Sequence, residues 1–267
     1  MNRYRLILSI VIGGLSSGLV SIAQTTWDGG GDAEYWDGEF GADNWSTNTI
    51  PNSSSNVIFD SNAGDTGVFE SITISSLTFT SNVTNPYRII TGGGDLTVNN
   101  SITNNSSAVQ TFDIAVSAGT GTIAWDGPLN FKNIVNAGTK QISLSGGVTF
   151  TNATININIS SLSSFGQFNV LGGAVVFSGT NIINLSGGTF SAYAAGNSFD
   201  FTTGDFSGVS LANVILPTLS GGLVWNTSNF LTQGILTVSA VPEPATYAVL
   251  LGLAVLGFGA VRRRRKA

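Results

Sequence analysis

Ile155-Asn156-Ile157-Asn158-Ile159 alternates apolar and polar residues with a period of two, the period of a β-strand, which puts all three isoleucines on one face. A helix would turn Ile157 to the side opposite Ile155 and Ile159. The same alternation runs through Ile72 and Ile74, then changes phase across Ser75-Ser76 before Leu77 and Phe79, so a bend is expected there. Further strands are expected around Leu96–Val98, Thr111–Val116, Thr122–Trp125, Gln141–Leu144, Val148–Phe150, Phe168–Leu171, Ala174–Phe177, Ile182–Leu185, Phe199–Phe201 and Leu236–Val238. No helical stretch is expected outside the two chain ends.

The turns between these strands are glycine-rich and partly self-similar. Ser145-Gly146-Gly147-Val148-Thr149-Phe150 echoes Ser186-Gly187-Gly188-Thr189-Phe190, and Ser220-Gly221-Gly222 repeats the first half of that unit. Loose repetition of strand, glycine turn and strand fits an all-β, right-handed parallel β-helix, in which every coil buries its inward residues against its neighbours. The irregular interval between echoes fits a degenerate solenoid. A pair of β-sandwiches is the alternative. The solenoid is favoured because strand and turn signals continue from residue 61 to residue 240 with no stretch that reads as a linker.

Composition agrees with this reading. Thirty-four glycines beside abundant Ser, Thr, Asn, Val, Ile and Phe are poor material for helices and good material for strands and turns. The apolar fraction of 42% is enough to bury a core. With no cysteine, stability comes from packing and not from disulfides. Between residues 24 and 240 only Arg88, Lys132 and Lys140 are cationic against fourteen carboxylates, a net charge of −11. That sign sets this part against nucleic acid and anionic lipid.

The chain ends read differently. Arg3 and Arg5, the apolar run from Leu6 to Val20 and the small-residue site Ser21-Ile22-Ala23 make residues 1–23 a secretory signal peptide, an apolar signal helix cut between Ala23 and Gln24. Residues 24–60 form a Trp-rich N-terminal cap, with Trp27, Trp36 and Trp45 at an even spacing of nine among six acids. Three readings of this segment stand. The indoles plug the end of the β structure, or they stack on sugar rings, or Asp28, Asp32 and Glu34 hold calcium on a glycine-rich loop.

At the other end, residues 241–267 hold Pro242-Glu243-Pro244, the uncharged run Ala245–Val261 and the cations Arg262, Arg263, Arg264, Arg265 and Lys266. The prolines keep the tetrapeptide from Val241 to Pro244 extended. The uncharged run, as a helix about 25 Å long, makes a marginal transmembrane segment with snorkelling arginines. Five successive cations stay cytoplasmic, so everything upstream lies outside. These three blocks in this order resemble the PEP-CTERM sorting signal of Gram-negative bacteria, which implies handling by an exosortase-type enzyme, transient residence in the inner membrane and delivery to the envelope surface or beyond.

A second resemblance is carried by the ends of the β region. Trp36, Asn44-Trp45, Pro51 and Asn56-Val57-Ile58-Phe59 at one end resemble proteins with autotransporter-associated β-strand repeats. So do Phe199-Asp200-Phe201, Leu216-Pro217-Thr218-Leu219, Leu223-Val224-Trp225-Asn226-Thr227-Ser228 and Gly234-Ile235-Leu236-Thr237-Val238 at the other. That resemblance implies an exported β-helical passenger-like domain. The long amphipathic β-barrel of true autotransporters has no counterpart in this sequence.

No catalytic constellation stands out. With no histidine and no cysteine there is no Ser-His-Asp triad, Cys-His pair or His-based zinc site. Two carboxylates suffice for glycoside hydrolysis, but Asp60, Asp65, Glu70, Asp95, Asp113, Asp126, Asp200 and Asp205 are scattered among turn formers, and the three cations read as solvated. The expected function is a non-enzymatic structural or adhesive protein of the cell surface or extracellular matrix, without a cofactor or metal. Its expected partners are an exosortase-type enzyme, the inner membrane in transit and extracellular polysaccharide. The alternative is a carbohydrate-binding or polysaccharide-degrading β-helix using Trp27, Trp36 and Trp45. N-terminal sequencing of the exported protein should return Gln24 first; a chain beginning at Met1 would refute the signal-peptide reading.

Overall fold

The computed structural model describes residues 23–28, 35–37, 41–61, 64–121, 123–187, 193–204, 206–241, 249, 251–256, 258 and 262. The chain opens with β1 (Ala23–Trp27), β2 (Ser55–Phe59), β3 (Asp65–Val68), β4 (Ile72–Phe79), β5 (Arg88–Thr91), β6 (Leu96–Asn104) and β7 (Gln110–Asp113). It continues through β8 (Val116–Ala118), β9 (Ile123–Asp126), β10 (Leu129–Phe131), β11 (Ile134–Gly138), β12 (Gln141–Ser145) and β13 (Val148–Thr151). Next come β14 (Thr154–Ser161), β15 (Ser164–Phe165), β16 (Gln167–Val170), β17 (Val175–Ser178) and β18 (Ile182–Ser186). The last are β19 (Ser198–Asp200), β20 (Val214–Ile215), β21 (Leu223–Asn226), the single helical turn α1 (Phe230–Gln233) and β22 (Ile235–Ala240).

From β2 to β18 the chain winds as a β-solenoid whose coils contribute to three parallel ladders. β11, β12 and β13 lie in register on β8, β9 and β10, so that Val135 sits on Val116, Ile142 on Ile123 and Phe150 on Phe131. Each of those steps is nineteen residues. The third ladder, β3-β5-β7-β10-β13-β17, has six strands and so five turns. β4 and β6 each serve two ladders through a bend. The register between them shifts from Ile74 to Ser76, and buried Ser75 accepts a hydrogen bond from Asn100 Nδ2 at 3.0 Å. The bend expected at Ser75-Ser76 is therefore a corner of the coil.

In-register stacking places like side chains on like. Phe112, Phe131, Phe150 and Phe177 form a column inside the third ladder, with centroids 5.1, 5.7 and 5.3 Å apart and planes within 25°. Each buried ring contributes a few kcal/mol, about 25 cal/mol for each Å² of apolar surface removed from water. Val116, Val135, Ile155 and Ile183 make a matching buried column in the first ladder. On its outward side Asn184 Nδ2 donates to Asn156 Oδ1, Asn156 Nδ2 to Asn136 Oδ1, and Asn136 Nδ2 to Ser117 Oγ, at 3.0, 2.7 and 3.1 Å. Period two along the strand thus separates an apolar column from an amide ladder.

The solenoid does not end on an open edge. Phe201 accepts from the Phe168 N–H at 2.8 Å and Phe206 packs on Phe177. β19, β22 and β21 then form an antiparallel sheet in that order. α1 is a helical turn not foreseen from sequence. It is too short to show a period, is closed by Gly234 at φ 69°, and seats Phe230 against Phe201 and Phe206. The expected signal helix lies outside the described residues. Of the segment expected to form the C-terminal transmembrane helix, Ala245–Val261, the described residues 251–256 are helical, and among the described residues no helix is long and apolar enough to cross a membrane. The rest of that stretch lies outside the described residues.

Glycines fix the corner between the second and third ladders. At Gly146, φ is 75° and an added Cβ would lie 2.4 Å from the Gly127 nitrogen in the coil below. Gly172, next to Gly146 one coil on, has open space around its missing Cβ and no positive φ. Gly146→Ala should destabilise the fold by about 1–3 kcal/mol, and Gly172→Ala should leave it unchanged or stabilise it by up to ~1 kcal/mol. Urea unfolding of the two variants checks the contrast.

Candidate functional site

The candidate sugar face consists of Trp27, Trp36 and Trp45. All three indoles are buried, at 1%, 0% and 0% exposure for Trp27, Trp36 and Trp45. They surround Phe59 of β2 at centroid distances of 5.7, 5.6 and 6.2 Å, and Trp45 Nε1 donates to the Trp36 carbonyl at 2.8 Å. A ring can stack on a pyranose only if one face is open. The sugar-contact reading of Trp27, Trp36 and Trp45 is therefore corrected: their rings are core.

Their backbones cover the first strands. The stretch around Trp45 bridges β1 antiparallel, with Ser46 N–H donating to the Thr26 carbonyl at 2.8 Å. Trp36 N–H donates to the Gly67 carbonyl of β3 at 2.8 Å, and Tyr35 stacks on Phe69 at 4.4 Å. Asp37, 4% exposed, accepts from the Phe69 and Glu70 N–H groups at 2.8 and 2.6 Å, one on each carboxylate oxygen. Asp37 is thereby committed to holding a corner. Of the calcium candidates, Asp28 is exposed, while Asp32 and Glu34 lie outside the described residues.

Four further acids hold turns or the two ion pairs of Arg88. Asp60 accepts from Thr80 Oγ1 and Asn82 Nδ2, and Asp126 accepts from Ser145 Oγ at 2.8 Å. Arg88, expected to be merely solvated, lies between Asp65 one coil below and Asp113 one coil above. Hydrogen bonding to Asp113 holds its guanidinium above the ordinary arginine pKa, with burial opposing. Among the described residues no three His, Cys, Asp or Glu side chains converge as a metal site would require. A cleft of about 460 Å³ is lined by Asp37, Glu70, Pro51 and Ser53 among others, with no tryptophan in its wall.

The other candidate is the C-terminal sorting segment. β22 is the middle strand of the antiparallel sheet, with Leu236 and Val238 buried opposite Phe199 and Trp225. Its ladder runs to its last residue. Ala240 pairs with Leu223, and Val241 N–H donates to the Gly222 carbonyl at 2.8 Å. Pro242 follows at once. Beyond it, residues 251–256 are helical, and Leu251, Leu253, Val255, Leu256 and Phe258 are all more than 60% exposed. Arg262 is exposed as well, while Pro242, Glu243, Pro244, Arg263, Arg264, Arg265 and Lys266 lie outside the described residues. At the opposite end, Ala23 and Gln24 open β1, both exposed.

Residues 240–265 match the PEP-CTERM protein-sorting motif. That motif is recognised by exosortase-type sorting systems and marks proteins exported to the cell envelope. No curated protein and no solved structure matches the chain. The resemblance to autotransporter-associated β-strand repeats accordingly stands on sequence alone. The geometry at the N-terminal end yields a stability test. Asp37→Ala leaves two part-buried N–H groups without their acceptor and should cost roughly 2–4 kcal/mol, read by urea unfolding, with Asp37→Asn losing less.

Proposed function

We propose that this chain is an exported, non-enzymatic structural and adhesive protein, held in the inner membrane by Ala245–Val261 during transit and then delivered to the envelope surface or into extracellular polysaccharide. The observation that carries the reading is the PEP-CTERM motif joined without a spacer to β22, the middle strand of the antiparallel sheet that follows a β-solenoid. The coil is right-handed, the hand that parallel crossovers take almost without exception. The row of exposed apolar residues from Leu251 to Phe258 supports a membrane-embedded tail, since such a row is costly in water and favourable in lipid.

An adhesive role is supported by the outward surface. Its ladders present Ser, Thr and Asn at the strand repeat, with few charges, as at Thr73, Thr97, Ser117, Asn136, Asn156 and Asn184. Many weak hydrogen-bonding contacts along one rigid body sum to useful retention without a deep pocket. Asp37, Asp60, Asp65, Asp113 and Asp126 accept hydrogen bonds at a corner, at turns and from Arg88, which supports a structural role for these five carboxylates.

Protein recovered from the cell surface should have an intact mass lacking Arg262–Lys266, should be retarded on neutral polysaccharide, and should leave that polysaccharide undegraded. Depolymerisation that disappears when two neighbouring carboxylates are replaced would refute the non-enzymatic reading. A surface form retaining the basic tail would refute processing.

A further inference from the structure

The sorting motif and the fold overlap. The matched residues begin at Ala240, and Ala240 belongs to β22. Ala240 pairs with Leu223, Ser239 with Val224 and Val238 with Trp225, and the Val241 N–H is held by the Gly222 carbonyl at 2.8 Å. Further up, β22 is bonded on both edges, since Thr237, Leu236 and Ile235 also pair with β19. Enzymes that cut or capture a peptide usually take several residues in extended form, forming main-chain hydrogen bonds of their own. In the folded protein such bonds on the upstream side of Pro242 are already made to β21.

We propose that the C-terminal sheet controls access to the sorting signal: the tail-removing enzyme engages chain whose Ser239–Val241 end has come off β21, so tail removal competes with closure of the cap. This rests on the sorting function proposed above and adds an order of events. A chain reaching the enzyme before β22 closes is processed quickly; a closed one waits for the strand end to open. Removal itself is hydrolysis of one backbone amide, water giving its hydroxyl to the acyl carbon and a proton to the departing amine of the tail. The fold is suited to such control. Ala240 and Val241 are both exposed, and Val238 is the last buried side chain of the strand, so opening the end gives up few contacts while Leu236 and Val238 keep the strand seated.

The test uses the full chain expressed in a host with an exosortase-type system, following loss of the Arg262–Lys266 tail by mass after a pulse of synthesis. One variant inserts six Gly/Ser residues between Val241 and Pro242, leaving every pair of β22 in place. A second, Val224→Gly, loosens β21 beside the strand end without touching the motif. A third, Glu243→Ala, disables the signal. Hydrogen exchange at Leu236 and Val238 verifies that the cap of the spacer variant stays folded. Tail loss should be roughly 5- to 30-fold faster in the spacer and Val224→Gly variants, the factor that ~1–2 kcal/mol of strand opening sets, and absent in Glu243→Ala. Equal rates in wild type and spacer variant, with cleavage occurring, would overturn the access inference and leave sorting intact. Tail retention in wild type and every variant would overturn the sorting function and the inference together.

Discussion

Parallel stacking in register is the constraint from which the rest of this structure follows. Each residue of a coil lies beside its counterpart in the next, at the spacing of neighbouring strands, about 4.8 Å. Inward positions mostly repeat apolar side chains from coil to coil, as from Ile89 through Phe112 to Phe177; the polar exceptions on that ladder are Thr66, whose buried hydroxyl has no partner, and Gln110, which stacks on Leu129 and donates to Ser106 and the Ala108 carbonyl. Outward positions follow the same rule by different means: an asparagine between two asparagines satisfies both its donor and its acceptor along the ladder, as Asn156 does. The charges obey it too. Arg88 is flanked along its ladder by Asp65 and Asp113, and no like charge is placed next to it.

A stack of coils has two ends, and each would expose both a ladder edge and a slice of core. The two ends are closed by different means. At the start, three indoles cover Phe59 while the backbone near Trp45 and Trp36 occupies the edges of β1 and β3. The Trp27 and Trp36 indole N–H groups have no partner there, a cost offset by the large apolar area the rings bury. At the finish, the chain reverses into antiparallel strands and seats Phe230 over Phe201 and Phe206. Edge closure of this kind prevents solenoids from adding further copies end to end.

What could be read from the residues depended on how local the signal was. The bend at Ser75-Ser76 was legible because the change of phase occurs within eight residues. The stretch Thr111–Val116 read as one strand, yet Ile114 and Ala115 are both buried and turn a corner between β7 and β8, a feature alternation cannot register. β10, three residues long, and β5 carry too little periodicity to be seen. The glycine echoes pointed to the right architecture through the wrong equivalence. Ser145-Gly146-Gly147 stacks on Asp126-Gly127 and under Leu171-Gly172-Gly173, whereas Gly187 follows β18 on a different ladder. A corner demands a backbone conformation and not a tripeptide. The ion pairs of Arg88 were out of reach for a related reason, because partners 23 and 25 residues away become neighbours only once the coil length is known. The sorting segment was legible at once, being contiguous, whereas the spacing of the tryptophans carried no sign of which way they face.

Coil length is not constant. The step from Ile123 to Ile142 is nineteen residues, and the next, from Ile142 to Phe168, is twenty-six, the difference of seven being taken up around the small hairpin of β14 and β15. Register on either side is unaffected, since Val148 still meets Val175 and Ile155 still meets Ile183. The corners are therefore places where insertions and deletions are absorbed without reading errors in the ladders, much as a bound book tolerates a folded-out page. A lineage of such proteins can diverge quickly in its loops, and an engineer can graft a peptide epitope at Leu162, while the spine of stacked strands continues to specify the fold.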